Sequence, residues 1–230
     1  MKTIGLIGGI TPQSTILYYQ ILNDLASSEL GGIHSCKTII HSLDFGVISK
    51  LQSQDDWDSL DVIMTNAGKS LENAGADLIL ICANTMHLSI DAVRSVVSIP
   101  VIHIADATAK KIKEQQITKV ALLGTKYTME KEFFKDILID NGIEVIIPEF
   151  EQRNIIHDVI YSELSKGILN NASKQIYLQI IEKLIAKGSK GVILGCTEIP
   201  LLIQQEDVSV PVFDTTTIHA NAAFNSALNK

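Results

Sequence analysis

Short runs of apolar, largely β-branched residues recur along the chain, separated by longer stretches of mixed character. Uninterrupted apolar runs of four or five residues are typical of strands buried on both faces of a parallel sheet. We therefore predict eight strands, over residues 3–7, 37–41, 78–82, 101–104, 120–123, 143–147, 192–194 and 210–213.

The stretches between several of these strands have apolar residues at helical spacing. They predict helices within residues 16–30, 60–73, 130–141 and 176–187. In the first helix the predicted apolar face consists of Ile16, Leu17, Ile21, Leu22 and Leu25. Gly142 and Gly188 follow the last two helices and are predicted to adopt the left-handed conformation that ends a helix. Strands alternating with helices indicate an α/β protein with parallel sheets.

The chain also repeats itself. A strand followed by a small-residue turn occurs at 2–9 and at 119–125, and a glycine, a strand and a polar turn occur at 75–85 and at 188–198. Similar order and spacing predict two pseudo-symmetric α/β domains, although unrelated βα units share such punctuation. The predicted domains are 1–104 plus 210–230, and 105–209. Ligands bind beyond the carboxyl ends of parallel strands, so we expect the active site in the interdomain cleft.

Composition narrows the class of partner. The 230 residues include 19 Lys and Arg against 26 Asp and Glu, which gives a net charge of −7. A mildly acidic chain without a basic block is not expected to bind nucleic acid or a membrane surface. No apolar stretch approaches the ~18 residues of a membrane span. Three cysteines do not form a disulfide framework, so we expect a cytoplasmic protein with reduced thiols.

The two repeated polar turns, 83–85 and 196–198, are the candidate chemical sites. Each follows a predicted strand, and each is expected to begin a helix whose backbone N–H groups attract an anion. Such a position also lowers the pKa of a thiol from about 8.5 towards neutrality. Cys196 is therefore interpreted as a reactive thiol; the alternative is a buried structural cysteine.

Cys82 does not occupy the position equivalent to Cys196. The repeat aligns Cys82 with Gly195, and Ala83 with Cys196. Because neighbouring side chains of a strand point to opposite faces, Cys82 is predicted to be structural. The same offset argues against a dithiol redox pair.

Several segments carry a family resemblance: Gly5–Pro12, Ala83–His87, Leu123–Thr125, Gly195–Ile199 and Phe213–Ala220. In this order they resemble the aspartate/glutamate racemase family over essentially the whole chain. The resemblance implies a cofactor-independent enzyme, a small amino-acid or dicarboxylate substrate and a homodimer. In such two-base racemases one cysteine precedes Asn-Thr and another precedes Thr-Glu, and they move the α-proton from opposite faces.

The resemblance assigns roles to particular residues. Cys196 matches the second catalytic cysteine, Asn84, Thr85 and Thr197 match residues that hold the α-carboxylate and amine, and Lys166 matches a lysine for the side-chain carboxylate. The remaining substrate-binding candidates are Gln52, Ala83, Thr125 and Glu198. Two positions depart from the family: Gln13 stands where Glu is frequent, and Ala83 stands where the first cysteine belongs.

The missing thiol leaves several hypotheses open. The first is racemisation of aspartate or glutamate, weak or one-sided, with Cys82 or Thr85 as the candidate second acid/base. The others are a single-cysteine carbanion enzyme resembling the superfamily's decarboxylases and isomerases, and a non-catalytic carboxylate-binding homologue. No metal is expected, since His87, His103 and His219 have no metal-ligand spacing.

Overall fold

The computed structural model describes residues 1–229, which form two compact α/β units. Of the described residues, 1–103 and 219–229 form the first unit, and 104–218 form the second. Each unit is built on a parallel sheet flanked by helices, which confirms the predicted fold class. No helix within residues 1–229 is long and apolar enough to span a membrane.

The first unit contains a three-stranded sheet in the order β2-β1-β3. Its elements are β1 (Ile4–Gly8), α1 (Pro12–Leu30), β2 (Thr38–Ser42), α2 (Phe45–Ser53), α3 (Trp57–Asn73), β3 (Leu78–Ile81), a 3₁₀ helix (Thr85–Ser89) and α4 (Ile90–Arg94). β1 lies between two parallel neighbours, with Ile4 opposite both Thr38 and Leu78. This central position explains why all five of its residues are buried.

The residues of β3 and the turn after it alternate between two apolar layers. Ile79, Ile81 and Ala83 pack into a cluster that includes α3, whereas Leu80 and Cys82 pack on the opposite face. The second layer includes Tyr18 of α1 and is completed by residues from the C-terminal end of the chain, among them Phe224. Strand alternation therefore fixes which turn residues share a face.

The loop between β1 and α1 depends on glycine. Gly9 has φ of 81°, and a Cβ atom there would lie 2.1 Å from the carbonyl oxygen of Leu43. Only glycine tolerates both the conformation and the contact. Thr11 caps α1 by accepting a hydrogen bond from the Ser14 amide at 3.2 Å, and Pro12 occupies the first helical turn.

Helix α1 is where predicted, but its buried face differs. The residues buried are Ser14, Thr15, Tyr18, Leu22 and Ala26, whereas Ile16 is 64% exposed. Tyr18 takes the core position because its hydroxyl has a buried polar partner there. The spacing of apolar residues in the sequence does not reveal such a hydrogen bond.

The second unit contains a four-stranded parallel sheet in the order β5-β4-β6-β7. Its elements are α5 (Ile104–Glu114), β4 (Lys119–Gly124), α6 (Lys126–Glu130), α7 (Glu132–Asp140), β5 (Glu144–Ile146), α8 (Phe150–Ser162), a 3₁₀ helix (Leu164–Lys166), α9 (Asn171–Ala186), β6 (Val192–Gly195), α10 (Ile199–Leu202), a 3₁₀ helix (Gln205–Asp207), β7 (Val212–Asp214) and the start of α11 (Thr215–Ala227). The two predicted helix-ending glycines, Gly142 and Gly188, have φ of 77° and 97°. That prediction is confirmed.

Two boundaries differ from the sequence-based prediction. Of the predicted strand 101–104, only Val101 forms a bridge, to Ile79, and Ile104 already begins α5. Residues 210–218 were assigned to the first domain but lie in the second unit. The reason is that β7 pairs with β6, placing Phe213 opposite Ile193.

Candidate active site

In the second unit, two neighbouring strands end side by side. Gly124 of β4 lies opposite Gly195 of β6, so Thr125 and Cys196 follow adjacent strands at the same edge of the sheet. A Cβ atom on Gly124 would lie 2.8 Å from the carbonyl oxygen of Gly195. The small residues therefore let the two strand ends approach closely and bring Thr125 near the thiol-bearing turn.

Cys196 lies in a polar niche at the margin of an apolar cluster. Its side chain shares a face with Val192 and Leu194, and the residue is 9% exposed. The thiol donates a hydrogen bond to Oε2 of Glu198 at 2.9 Å. The Thr197 hydroxyl donates to the same oxygen at 2.7 Å. Cysteine, threonine and glutamate of one turn thus form a hydrogen-bonded group, which we call the thiol–carboxylate turn.

The environment of Cys196 differs from the sequence-based expectation. Burial and the adjacent Glu198 carboxylate raise the pKa of this thiol well above its usual value, while the backbone N–H groups of Glu198 and Thr197 lower it. The expected pKa near neutrality is therefore wrong for this structure. Helix α10, which follows the turn, has only four residues. The negative carboxylate of Glu198 lies 2.9 Å from the sulfur and disfavours the thiolate.

Aromatic side chains from α8 and α9 belong to the same apolar cluster as Cys196. Burial raises the pKa of both Tyr161 and Tyr177, and a thiolate at Cys196 would raise both further. The Tyr161 ring is tilted by 45° against that of His157, with 4.7 Å between ring centroids, and Tyr177 donates a hydrogen bond to the Ile156 carbonyl. Cys196 itself is 9% exposed, and burial among apolar side chains strengthens electrostatic interactions.

Two further predicted residues lie in the second unit. Thr125 is buried and caps α6, accepting a hydrogen bond from the Thr128 amide at 3.3 Å. Lys166 is exposed at the end of the 3₁₀ helix 164–166, which contacts α10 directly after the thiol–carboxylate turn. The structure therefore groups Cys196, Thr197 and Glu198 tightly, with Thr125 on the adjacent strand end and Lys166 on a neighbouring element.

In the first unit, the turn after β3 carries the predicted binding residues Ala83, Asn84 and Thr85, all of them buried. His87 holds this turn by donating from Nδ1 to the carbonyl oxygen of Ala83 at 2.8 Å. Gln52 of α2 reaches the same turn, with Nε2 3.2 Å from the sulfur of Met86. The four predicted residues of this unit are thus brought together.

Cys82 lies on the face of the sheet opposite to Ala83. It is fully buried beside Leu80 and Tyr18, and burial raises the pKa of its thiol. Ser14, which would suit a helix cap, instead donates its hydroxyl proton to the carbonyl oxygen of Cys82 at 2.6 Å. All three cysteines, Cys36 included, are free and buried.

A buried histidine cluster that the sequence did not predict lies behind the first unit's turn. The ring of His87 is 4.8 Å from that of His103 and 5.4 Å from that of His219. His219 donates from Nε2 to the Ile102 carbonyl at 2.9 Å, so its Nδ1 accepts from the Tyr18 hydroxyl at 2.8 Å. Within residues 1–229, no three His, Cys, Asp or Glu side chains are arranged to hold a metal ion.

Comparison with known proteins identifies the family to which this chain belongs. The family model described as Asp/Glu/Hydantoin racemase matches residues 7–223. The chain belongs to this racemase family. A solved structure from Yersinia pestis, described as a candidate Asp/Glu racemase, is 48% identical and superposes with a TM-score of 0.93, covering 99% of this chain and 100% of that one.

Two further members of the racemase family extend the comparison. An aspartate racemase homologue from Pyrococcus horikoshii OT3 is 41% identical, with a TM-score of 0.87 and coverage of 99% and 100%. The broad specificity amino-acid racemase RacX of Bacillus subtilis is 22% identical over 98% of both chains. This racemase matches along its whole length, so the likeness is not limited to one of the two units.

Sequence reasoning missed the direct pairing of Cys196 with Glu198 and the surrounding tyrosines. The spacing of one residue between cysteine and glutamate was visible, but the backbone course of the turn decides whether two such side chains meet. Tyr161 lies 35 positions earlier in the chain, and only the packing of α8 brings it near the thiol. No local pattern could have found it.

Proposed function

We propose that this chain interconverts the enantiomers of an acidic amino acid, aspartate or glutamate, without a cofactor, with Cys196 moving the α-proton. The observation that carries the proposal is a thiol at the carboxyl end of a central strand, hydrogen-bonded to a buried carboxylate. Family membership supports it, as do relatives described as an aspartate racemase homologue and as a broad specificity amino-acid racemase.

The chemistry requires help that these residues can supply. An amino-acid α-hydrogen is a very weak acid, and its removal places negative charge on the substrate carboxylate. Fixed hydrogen-bond donors stabilise this charge as it develops, and a positioned acid/base contributes about 10²–10⁴-fold. We assign the first role to Asn84, Thr85 and Thr197, and the second to Cys196.

We assign the substrate side chain to the outer residues of the set. Lys166 provides a cation for the second carboxylate of aspartate or glutamate. Gln52, which contacts the turn after β3, provides an amide for the same group. Thr125 lines the adjacent strand end in the second unit.

The candidate site lacks a second thiol to act as acid/base on the opposite face of the α-carbon. Ala83 is the counterpart of Cys196 in the repeat and has no exchangeable proton. We propose the Thr85 hydroxyl, with solvent, as the second donor in preference to Cys82, because Cys82 is buried on the other face of β3. The expected consequence is slow or one-sided racemisation.

Ala83 also favours two alternative functions. A single thiol suffices to protonate a carbanion formed by loss of CO₂, and a protein lacking one base can retain ligand binding without turnover. A decarboxylase-like enzyme and a carboxylate-binding homologue are therefore the alternatives that this residue favours.

The deciding experiment is proton exchange in ²H₂O. L- and D-aspartate and glutamate are incubated with the enzyme, α-deuteration is followed by NMR, and the enantiomers are separated by chiral chromatography. We expect deuterium incorporation and inversion in the wild type, and loss of both in Cys196→Ser with unchanged circular dichroism.

The outcomes separate a racemase from a carboxylate-binding protein. Exchange without inversion indicates a half-functional site, whereas exchange that persists in Cys196→Ser contradicts the role of the thiol. Thermal stabilisation by a dicarboxylate, with no exchange, indicates a binding protein. A homodimer stays a prediction that light scattering tests.

A further inference from the structure

The carbonyl groups of the turn after β3 are held by donors from neighbouring residues. The Cys82 carbonyl accepts a hydrogen bond from the Ser14 hydroxyl at 2.6 Å, and the Ala83 carbonyl accepts one from Nδ1 of His87 at 2.8 Å. The Asn84 carbonyl accepts a third, from the backbone N–H of His87 at 3.0 Å. Three consecutive carbonyl oxygens of the turn are therefore engaged, two of them by the same histidine.

These hydrogen bonds also fix the direction of the N–H groups of the turn. In a planar trans peptide, the N–H points opposite to the carbonyl oxygen of the preceding residue. The carbonyls of Ala83 and Asn84 point at His87, so the N–H groups of Asn84 and Thr85 point to the other side of the turn. Asn84 and Thr85 are the two residues of this turn that we assign to the α-carboxylate of the substrate.

We propose that His87 is a positioning residue of this turn: its imidazole and its backbone N–H hold the Ala83 and Asn84 carbonyls, so that Asn84 and Thr85 keep the conformation that receives the substrate carboxylate. The inference rests on the proposed function and deepens it. In this role His87 acts through the turn and not on the substrate. Ser14 of α1 assists by holding the carbonyl that precedes Ala83.

The surroundings of His87 keep its ring in one orientation and one tautomer. The ring is buried against those of His103 and His219, at 4.8 Å and 5.4 Å between centroids. Burial lowers the pKa of His87 to about 4, so the ring is neutral at neutral pH and carries one N–H. Because a carbonyl oxygen only accepts, this proton lies on Nδ1. His219 has the opposite tautomer, since its Nε2 donates to the Ile102 carbonyl and its Nδ1 accepts from Tyr18.

Loss of the imidazole donor has a defined kinetic consequence. A buried carbonyl without its donor favours conformations of the turn in which it finds another partner, so only a fraction of the free enzyme keeps the competent turn. The apparent dissociation constant of the substrate rises by the inverse of that fraction, whereas the bound enzyme has the competent turn and reacts at its usual rate. The positioning role of His87 therefore affects KM and not kcat. A merely structural role would lower the folded, active fraction, and with it the apparent kcat, at unchanged KM.

The test compares a variant that lacks the donor with one that restores it. His87→Leu removes the imidazole N–H, whereas His87→Asn supplies a side-chain Nδ2 donor at the same distance from the backbone as Nδ1. Tyr18→Phe is the matched control, because it breaks another buried hydrogen bond of the histidine cluster, the one to His219. Racemisation of L-aspartate and L-glutamate is followed by chiral chromatography. We expect KM about 10-fold higher and kcat within about threefold in His87→Leu, a KM near that of the wild type in His87→Asn, and an unchanged KM in Tyr18→Phe.

Amide hydrogen exchange supplies a measurement that needs no substrate. We expect the peptide 82–90 to exchange about 10-fold faster in His87→Leu than in the wild type, to recover in His87→Asn and to stay unchanged in Tyr18→Phe. Nitrogen-15 NMR of the histidine-labelled wild type reads the tautomers directly and serves if the leucine variant does not fold. We expect the proton on Nδ1 in His87 and on Nε2 in His219; a His87 ring protonated on Nε2 alone overturns the inference.

The outcomes distinguish this inference from the proposed function. Unchanged KM and unchanged exchange in His87→Leu, with racemisation intact in the wild type, overturn the positioning role and leave the function standing. An equal rise of KM in His87→Leu and His87→Asn also overturns it, because the donor is then not the cause. Faster exchange in His87→Leu that recovers in His87→Asn, with no racemisation by the wild type, supports the hold of His87 on the turn and removes the proposed function.

Discussion

The buried histidine cluster should make the first unit sensitive to mild acid. Burial lowers the pKa of His87 to about 4, of His103 to about 2 and of His219 to about 3, with the neighbouring charges adding to the effect on His103 and His219. In the unfolded chain each imidazole titrates near its ordinary value of 6.5. Acid therefore protonates the unfolded state before the folded one.

The sign and size follow from linkage. Above pH 6.5 both states are neutral at these residues, and stability is fully present; below it the unfolded chain takes up protons that the folded unit does not, and stability falls. At pH 5 each histidine accounts for about 2 kcal/mol of lost stability, with a limiting slope of about 1.4 kcal/mol per pH unit. Three such residues give a slope approaching about 4 kcal/mol per pH unit.

The single tryptophan makes the measurement specific. Trp57 begins α3 in the first unit, so its fluorescence reports urea unfolding of that unit. Midpoints and m-values are collected between pH 7.5 and pH 5 for the wild type and for His219→Gln. The glutamine keeps a donor for the Ile102 carbonyl but removes one imidazole, and the slope is expected to fall by up to about 1.4 kcal/mol per pH unit.

The slope is the readout because the substitution also lowers stability at every pH by removing the hydrogen bond with Tyr18. A parallel downward displacement of the whole curve would show that His219 titrates alike in both states. That result would refute the reasoning, and with it the claim that burial keeps this imidazole neutral. An NMR titration of the imidazole protons provides an independent check.

Two further substitutions test the site and the loop. Ala83→Cys places a thiol on the same strand face as Ile81. We expect this variant to raise kcat for racemisation at least about 10-fold, because it supplies an acid/base on the second face of the α-carbon. An unchanged kcat, with the new thiol shown to be alkylated, would contradict the position assigned to residue 83. Gly9→Ala forces a side chain against the Leu43 carbonyl at positive φ. We expect this variant to lower the free energy of unfolding of the first unit by at least about 1–3 kcal/mol, measured by urea unfolding with Trp57 fluorescence. A loss below about 0.5 kcal/mol would contradict the predicted strain.

Much of the fold could be predicted because it depends on local pattern. Continuous apolar runs located the buried strands β1, β3, β4 and β6, and glycines located two helix ends. The predicted strand 101–104 was wrong because an apolar run beside a proline is equally compatible with a connecting segment and with the start of a helix. Pairing of β7 with β6, which sets the domain boundary, depends on residues distant in sequence and leaves no local signature.

The strand ends that carry the candidate residues were predictable from the sequence, whereas the electrostatics of Cys196 were not. Strand alternation correctly separated Cys82 from Ala83, because it depends only on the parity of two neighbours. The pKa of Cys196 was predicted in the wrong direction, since the prediction considered the start of a helix and neither the burial of the thiol nor the Glu198 carboxylate. A charge 2.9 Å from the sulfur outweighs the dipole of a four-residue helix.

The way the backbone is divided between the units has a consequence for biosynthesis. Residues 104–218 form one uninterrupted stretch, whereas the first unit combines residues 1–103 with residues 219–229. Ala220 and Phe224 from that final segment fill the layer against β1 and α1, so the amino-terminal portion leaves the ribosome with part of its apolar surface uncovered. Since domains fold as units during translation, we expect residues 104–218 to fold first and residues 1–103 to complete their packing only after α11 has been made.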